Sequence, residues 1–296
     1  MKILILSLFL ASGNAWAQSP PLELRTKAIP PNKKFEDNRE ITDAKLRAEA
    51  GSMSRYSFKM DLTYTGAAVA TPFAKEQPNP EKLVRVNATQ LTASVGGRYR
   101  MSPNSSIFLG TGLSALHPFH GDGRWDVKNP SLGYDFVDRL GDVQMRIAMG
   151  ANIETTPEMR NVAQTGGLNL INSFVRNIGS SGFALGADIV LIYKIFNRNY
   201  QTSDRFVARD FVFVSPVVKY NFSDRLNLST NIAKPFIGPR SVSDEWALQP
   251  QPLTQRLTLG YAYSKDVYIA PFINLYPEKF AWNTTTLNFM SVFSVL

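Results

Sequence analysis

Between Tyr56 and Tyr64 the side chains alternate without a break. Tyr56, Phe58, Met60, Leu62 and Tyr64 are apolar or aromatic, and Ser57, Lys59, Asp61 and Thr63 between them are polar or charged. A period of two puts successive side chains on opposite sides of an extended strand, so the stretch has one apolar and one polar face and is no amphipathic helix. The same period returns further on. Leu91, Ala93, Val95, Tyr99 and Met101 oppose Gln90, Thr92, Ser94, Arg98 and Arg100; Val143, Met145, Ile147, Met149 and Ile153 oppose Gln144, Arg146 and Asn152. Phe183, Leu185, Ala187, Ile189, Leu191, Tyr193 and Ile195 alternate with Gly186, Asp188 and Lys194, and the pattern continues through Leu226–Ile232 and Leu257–Tyr263. Residues 168–178 keep no strict phase. Residues 206–222 are apolar on both faces around Pro216, which predicts a bulge or an interrupted ladder.

The links between these segments alternate in length. Short turn formers stand at Ser102–Ser106, Val137–Asp142, Ile178–Gly182, Ser223–Arg225 and Ser264–Asp266. Between them come mostly longer links: Ala67–Leu83, Pro118–Gly123, Thr155–Thr165, Asn199–Thr202, Gly238–Gln251 and Pro277–Ala281. The pattern predicts twelve antiparallel strands with both chain ends on the short-turn side.

Ahead of the strands, Lys2, the apolar run Ile3–Ala11 and Ala15-Trp16-Ala17 form the three parts of a secretory signal peptide over residues 1–17. Its apolar run is too short to span a bilayer, and no later stretch of about eighteen apolar residues exists for a helical span. The chain has no cysteine, which excludes disulfides, thiolate metal sites and a lipid anchor on a mature N-terminal cysteine. Its formal charge of +8, or +7 once Lys2 is removed, is spread out, with Lys33-Lys34 the longest basic pair. That dispersion argues against a nucleic-acid partner. Residues 18–53 differ in composition: prolines, then a charged stretch expected to form a short helix that stops at Gly51. The plain expectation for this segment is a solvated periplasmic tail, and the alternative is a small plug or a partner-binding arm.

Alternation alone does not say which face is inside. Segments of ten residues or more are long enough to cross a hydrocarbon layer at a tilt, where globular strands are about five or six. Turn lengths are asymmetric, as in barrels with short periplasmic turns and longer extracellular loops. Aromatic residues gather at segment ends: Tyr99, Tyr134, Phe136, Tyr220, Phe222, Tyr263 and Tyr268 near the short turns, and Tyr64, Tyr193, Phe280 and Trp282 near the longer loops. On these features residues 54–296 resemble the bacterial outer-membrane β-barrel class: all-β, transmembrane, antiparallel and up-and-down. The resemblance implies a pore or gated channel in a Gram-negative outer membrane, in contact with its lipids and lipopolysaccharide and inserted by that membrane's assembly machinery. The chain ends on Leu296 rather than on the aromatic residue usual in the class, although Phe289 and Phe293 are in phase.

With lipid outside, the polar phase faces a lumen. An arginine on the lipid face near the midplane costs about 2–4 kcal/mol, so Arg146, between Met145 and Ile147, is expected inside. The same phase directs Lys59, Arg98, Arg100, Lys194, Lys219 and Arg256 inward, against Asp61 and Asp188. A cationic lumen favours small anionic or polar solutes. The competing reading is a closed structural or adhesive barrel whose charges pair with one another, and a soluble exported lipid-binding barrel is a further alternative. Catalysis has little support. His117 and His120 are the two histidines, and Ser114 and His117 have opposite parity, so a hydrolase site is not formed within one strand face. His117, His120 and Asp122 lie among Pro118 and Gly121, which reads as a turn before a metal loop. No cofactor is expected.

Overall fold

The computed structural model describes residues 41–78, 88–121, 123–199, 207–240 and 248–295. The signal segment 1–17, residues 18–40 of the N-terminal segment and Asp122 lie outside them.

The alternating segments form strands, and the strands close into an antiparallel barrel. β1 (Tyr56–Ala68) pairs with β2 (Gln90–Ser102), which pairs with β3 (Ser105–Leu116). The ladder continues through β4 (Arg124–Leu140), β5 (Val143–Ile153), β6 (Gln164–Asn177), β7 (Phe183–Phe196) and β8 (Ala208–Asn221). At the far end β12 (Thr254–Ala262), β13 (Val267–Leu275) and β14 (Thr286–Val295) follow, and β14 returns to pair with β1. Closure gives each stave of the described residues a neighbour on both sides, so its backbone groups can bond there away from the proline breaks.

Two of the staves are broken by proline. β9 (Leu226–Ala233) and β10 (Phe236–Pro239) both pair with β8 in one register, Asn231 facing Val217 and Phe236 facing Val212, so they are one stave interrupted at Lys234-Pro235. β11 (Gln249–Pro250) and β12 are likewise one stave. Pro250 faces Phe236 and Thr254 faces Ala233, so three residues, Gln251 to Leu253, stand opposite two. The barrel therefore has twelve staves. Pro216 does not disturb the β7 side, where it faces Ala187 in a continuous ladder; the break falls on the other side, toward β9. Pro216 has no N–H to give. The Ser215 hydroxyl donates to the Ile232 carbonyl at 3.1 Å in that neighbourhood and accepts from Asn231 Nδ2 at 2.9 Å.

Outward positions are exposed and apolar, among them Phe58, Leu109, Leu132, Met149, Leu185, Leu191, Val214 and Leu259. That arrangement inverts a soluble protein, and it is stable where the surroundings are themselves apolar. Aromatic contacts cluster on the outer wall beside the short turns: Tyr56 with Tyr99 at 5.3 Å, Phe183 with Tyr220 at 4.8 Å and Tyr220 with Phe222 at 5.0 Å between centroids. Phe280 and Trp282 pair at the long-loop end. Tyr268 corrects the expected aromatic band. It is buried on the inner face, because Gly260 on the neighbouring stave leaves room where a Cβ would meet the Tyr268 hydroxyl at 1.9 Å.

Candidate functional site: a lumen closed by a helix

The segment expected as a solvated tail is inside the barrel as far as it is described. Helix α1 (Ala44–Ala50) lies in the lumen near the short-turn end. Asp43 caps it, accepting from the Leu46 N–H at 3.0 Å. Gly51 ends it at φ 74, a backbone conformation that suits glycine, and a side chain there would meet Arg98 Nη1 and Ser294. The sequence signal that could have placed the helix is its small apolar face. Ala44 and Ala48 pack on Ala262, Tyr268, Ala270 and Val292, while Leu46 packs on Val175 and Ala184. These wall positions are mostly small where a helix must fit. Full burial of Leu46 alone favours the docked state by about 1.5–3 kcal/mol.

Polar contacts hold both ends of the segment. Gln144 Oε1 accepts the N–H groups of Thr42 and Asp43, each at 2.8 Å, and its amide donates to the Thr42 hydroxyl at 3.0 Å. The Lys219 ammonium is paired with the Asp43 carboxylate. At the other end, Arg98 donates to the Glu49 carbonyl at 2.9 Å and to the Ala50 carbonyl. Arg100 donates to the carbonyls of Ser52 at 2.9 Å, Ala50 at 2.7 Å and Gly51 at 3.2 Å. The Glu49 and Ala50 carbonyls are the last of the helix and carry partial negative charge, so two guanidinium groups are well matched to them.

Between the ends lies an ionic cluster. Asp135, on β4, accepts from Arg146 at 2.6 and 3.0 Å and from Arg98 at 3.2 Å, with the Lys59 ammonium 3.9 Å away. Arg146 also reaches the Glu49 carboxylate of the helix at 3.2 Å, and Lys59 pairs with Asp61 at 3.1 Å. Lys45 lies 4.0 Å from both Asp188 and Glu49. Burial opposes the charge on Asp43, yet Lys219, the Leu46 N–H and Lys45 together hold that carboxyl below its usual range. Lys45 is shifted upward by Asp188 and then Glu49.

All nine residues expected in the lumen stand on the inner face, and the structure sorts them into two groups. Lys59, Arg98, Arg100, Arg146 and Lys219 are buried, Arg98 to 2 % and Arg100 to 3 % exposure, so this part of the interior is packed rather than watery. Asp61 is tied to Lys59, and Asp188 faces Lys45. Lys194 and Arg256 stand apart, each over a phenylalanine ring, Phe211 at 4.9 Å and Phe272 at 4.2 Å. Sequence reasoning missed Asp135, Gln144 and the carboxylates of Asp43 and Glu49, since their roles follow from contacts over long sequence separations. Between helix and wall a cavity of about 60 Å³ remains, lined by Lys45, Asp188, Arg256 and Tyr268 among others. It has room for a few water molecules and not for an organic solute.

The two histidines face loop carbonyls. His117 Nδ1 lies 2.9 Å from the Lys75 carbonyl, and His120 Nε2 lies 3.0 Å from that of Phe73. Both pin the long link after β1 to the link after β3.

No protein-family model and no curated protein matches the chain. Solved structures do. An outer-membrane channel of Pseudomonas putida F1 superposes with a TM-score of 0.50 at 10% identity, covering 83% of this chain and 98% of that one. The NanC porin gives 0.42 at 7% identity over 81% and 100% of the two chains, and the P. putida toluene transporter TodX gives 0.41 at 10% identity over 89% and 95%. At 10% identity the likeness is one of architecture: the chain shares its closed antiparallel barrel fold with the channel of P. putida F1.

Proposed function

We propose that the protein is an outer-membrane channel for small anionic or polar solutes, closed at its periplasmic mouth by α1. One observation carries the reading: Arg100 and Lys219, and alongside the wall's Asp135 also Arg98 and Arg146, turn to a separate segment, through the carboxylates of Asp43 and Glu49 and the carbonyls from Glu49 to Ser52. A wall that braced a membrane could neutralise its cations with carboxylates of its own. Here much of the neutralising charge comes from a helix joined to β1 by a short link, and its departure would leave a cationic constriction that admits anions.

The second reading, a closed structural barrel, draws support from the same dense packing. Recording from the full chain in planar bilayers separates the two. Intermittent openings with an anion-selective reversal potential are expected, and a cation-selective potential would contradict the proposed lumen. Permanent silence, in the wild type and in a variant with the Asp43–Lys219 pair removed, would favour the structural barrel. Heat-modifiable gel migration and fractionation with the outer envelope test the location itself and exclude a soluble lipid carrier.

A further inference from the structure

We propose that the solute carries an aromatic or similarly planar apolar body beside its anionic group, and that Lys194 with Phe211 and Phe213 holds it in the lumen. The proposal deepens the channel reading above and rests on it.

The two cations differ from the other five. Among the described residues neither Lys194 nor Arg256 has a carboxylate within 4.0 Å, whereas Lys59, Arg146, Arg98 and Lys219 do and Arg100 is taken up by carbonyls. A cation over a ring face is attracted by the ring quadrupole but keeps its full charge, so it can still recruit an anion. Lys194 and Phe211 lie near the long-loop end of β7 and β8. Phe213, two positions along the same inner face, has its ring plane within 5° of Phe211 and its centroid 6.4 Å away. Ile192, directly opposite Phe211, extends the apolar surface, and Lys194, Phe211 and Phe213 are only half-buried. Across the lumen the inner face of β1 and β2 is polar instead, with Thr63 and Ser94. The apolar stripe is thus local, and it coincides with the cation. Nearer the helix, Arg256 also lies over a ring, that of Phe272, but this ring is buried and the small cavity beside it excludes an organic solute, so the site is the one at Lys194.

An anion without an apolar body can use only the charge of Lys194. A benzoate-like solute can use the charge and the ring faces together, since offset or edge contacts between aromatic groups add to the burial of their area.

The test is equilibrium binding to the full chain in detergent micelles, read by saturation-transfer NMR with benzoate, acetate and benzylamine as probes. Benzoate is expected to bind at least about tenfold more tightly than acetate, a gap of about 1.4 kcal/mol, and benzylamine not to bind. Lys194→Gln should weaken benzoate severalfold, and Phe211→Leu with Phe213→Leu should remove most of its advantage over acetate. Equal binding of benzoate and acetate by the wild type overturns the proposal, as does binding of benzylamine. Benzoate binding unchanged in both folded variants does so too. Conduction does not enter this measurement, so a protein that binds benzoate but never carries current would defeat the channel reading alone. One that conducts anions but ignores the benzoate ring would defeat only this proposal.

Discussion

Lys219, on the eighth strand, forms an ion pair with Asp43, the residue that caps α1, and the two are 176 positions apart in the chain. One contact therefore fixes both the start of the helix and its place in the barrel. Replacing Asp43 with Ala removes a helix cap worth about 1 kcal/mol. It also strands a buried ammonium, at a cost on the order of 3 kcal/mol. The docked helix should lose most of its occupancy, and single-channel recordings should show a rise of up to about a thousandfold in open probability relative to the wild type. An unchanged record would mean that the helix does not control the lumen.

Acid should act through the same carboxylate. The native Asp43 sits below its usual range, so its contribution to docking is fully present above the ordinary carboxylate pKa and fades as pH falls through the lowered native one. Opening should therefore increase below about pH 4 and stay flat between pH 5 and 8. Asp43→Asn should abolish most of that acid response, which recordings across a pH series would reveal.

Asp135 gathers Arg98, Arg146 and Lys59 at the centre of the wall's ionic cluster. Asp135→Asn leaves three buried cations short of a partner, and the expected loss of barrel stability is roughly 3–5 kcal/mol. Urea unfolding followed by heat-modifiable gel migration measures it. Folded molecules of this variant should be more anion-selective than the wild type, because a fixed negative charge has left the lumen.

The small residues that receive α1 offer a test without any change of charge. Ala270 is fully buried against the helix, whereas Ala187 stands on the outer face of β7. Ala270→Leu should overfill the socket by about 1–3 kcal/mol and loosen the helix. Cross-linking of a cysteine pair placed at Ala48 and Val292 should then become slower. Ala187→Leu should leave that rate as it was.

Much of the architecture was legible in the sequence because a strand in a barrel has one environment on each side. Lys59 and Arg146 had to share a face with their polar neighbours at every second position, whichever other strand they met. The short turns were legible for a similar reason, since two to five residues rich in Ser, Asp and Gly leave few other conformations. Tyr268 was misread because an aromatic residue near a turn serves equally as an interfacial anchor or as packing. Only Gly260, on another strand, creates the space that draws it inward. The broken staves were half legible: Pro216 announced an interruption, but which side of β8 it would fall on depended on Lys234-Pro235 and Gln251-Pro252 meeting there.

By itself the sequence determined the strand count, the alternation of faces, the turn asymmetry and the inward direction of the cations, all of them consequences of a local period of two and of where the period stops. Tertiary structure decided what those cations do. Whether Arg98 faces water or a helix carbonyl, and whether Lys219 is open or paired with Asp43, depends on a chain segment returning through the barrel from far away in sequence. No local pattern encodes that return; it follows from shape and charge complementarity between α1 and a wall assembled from distant strands.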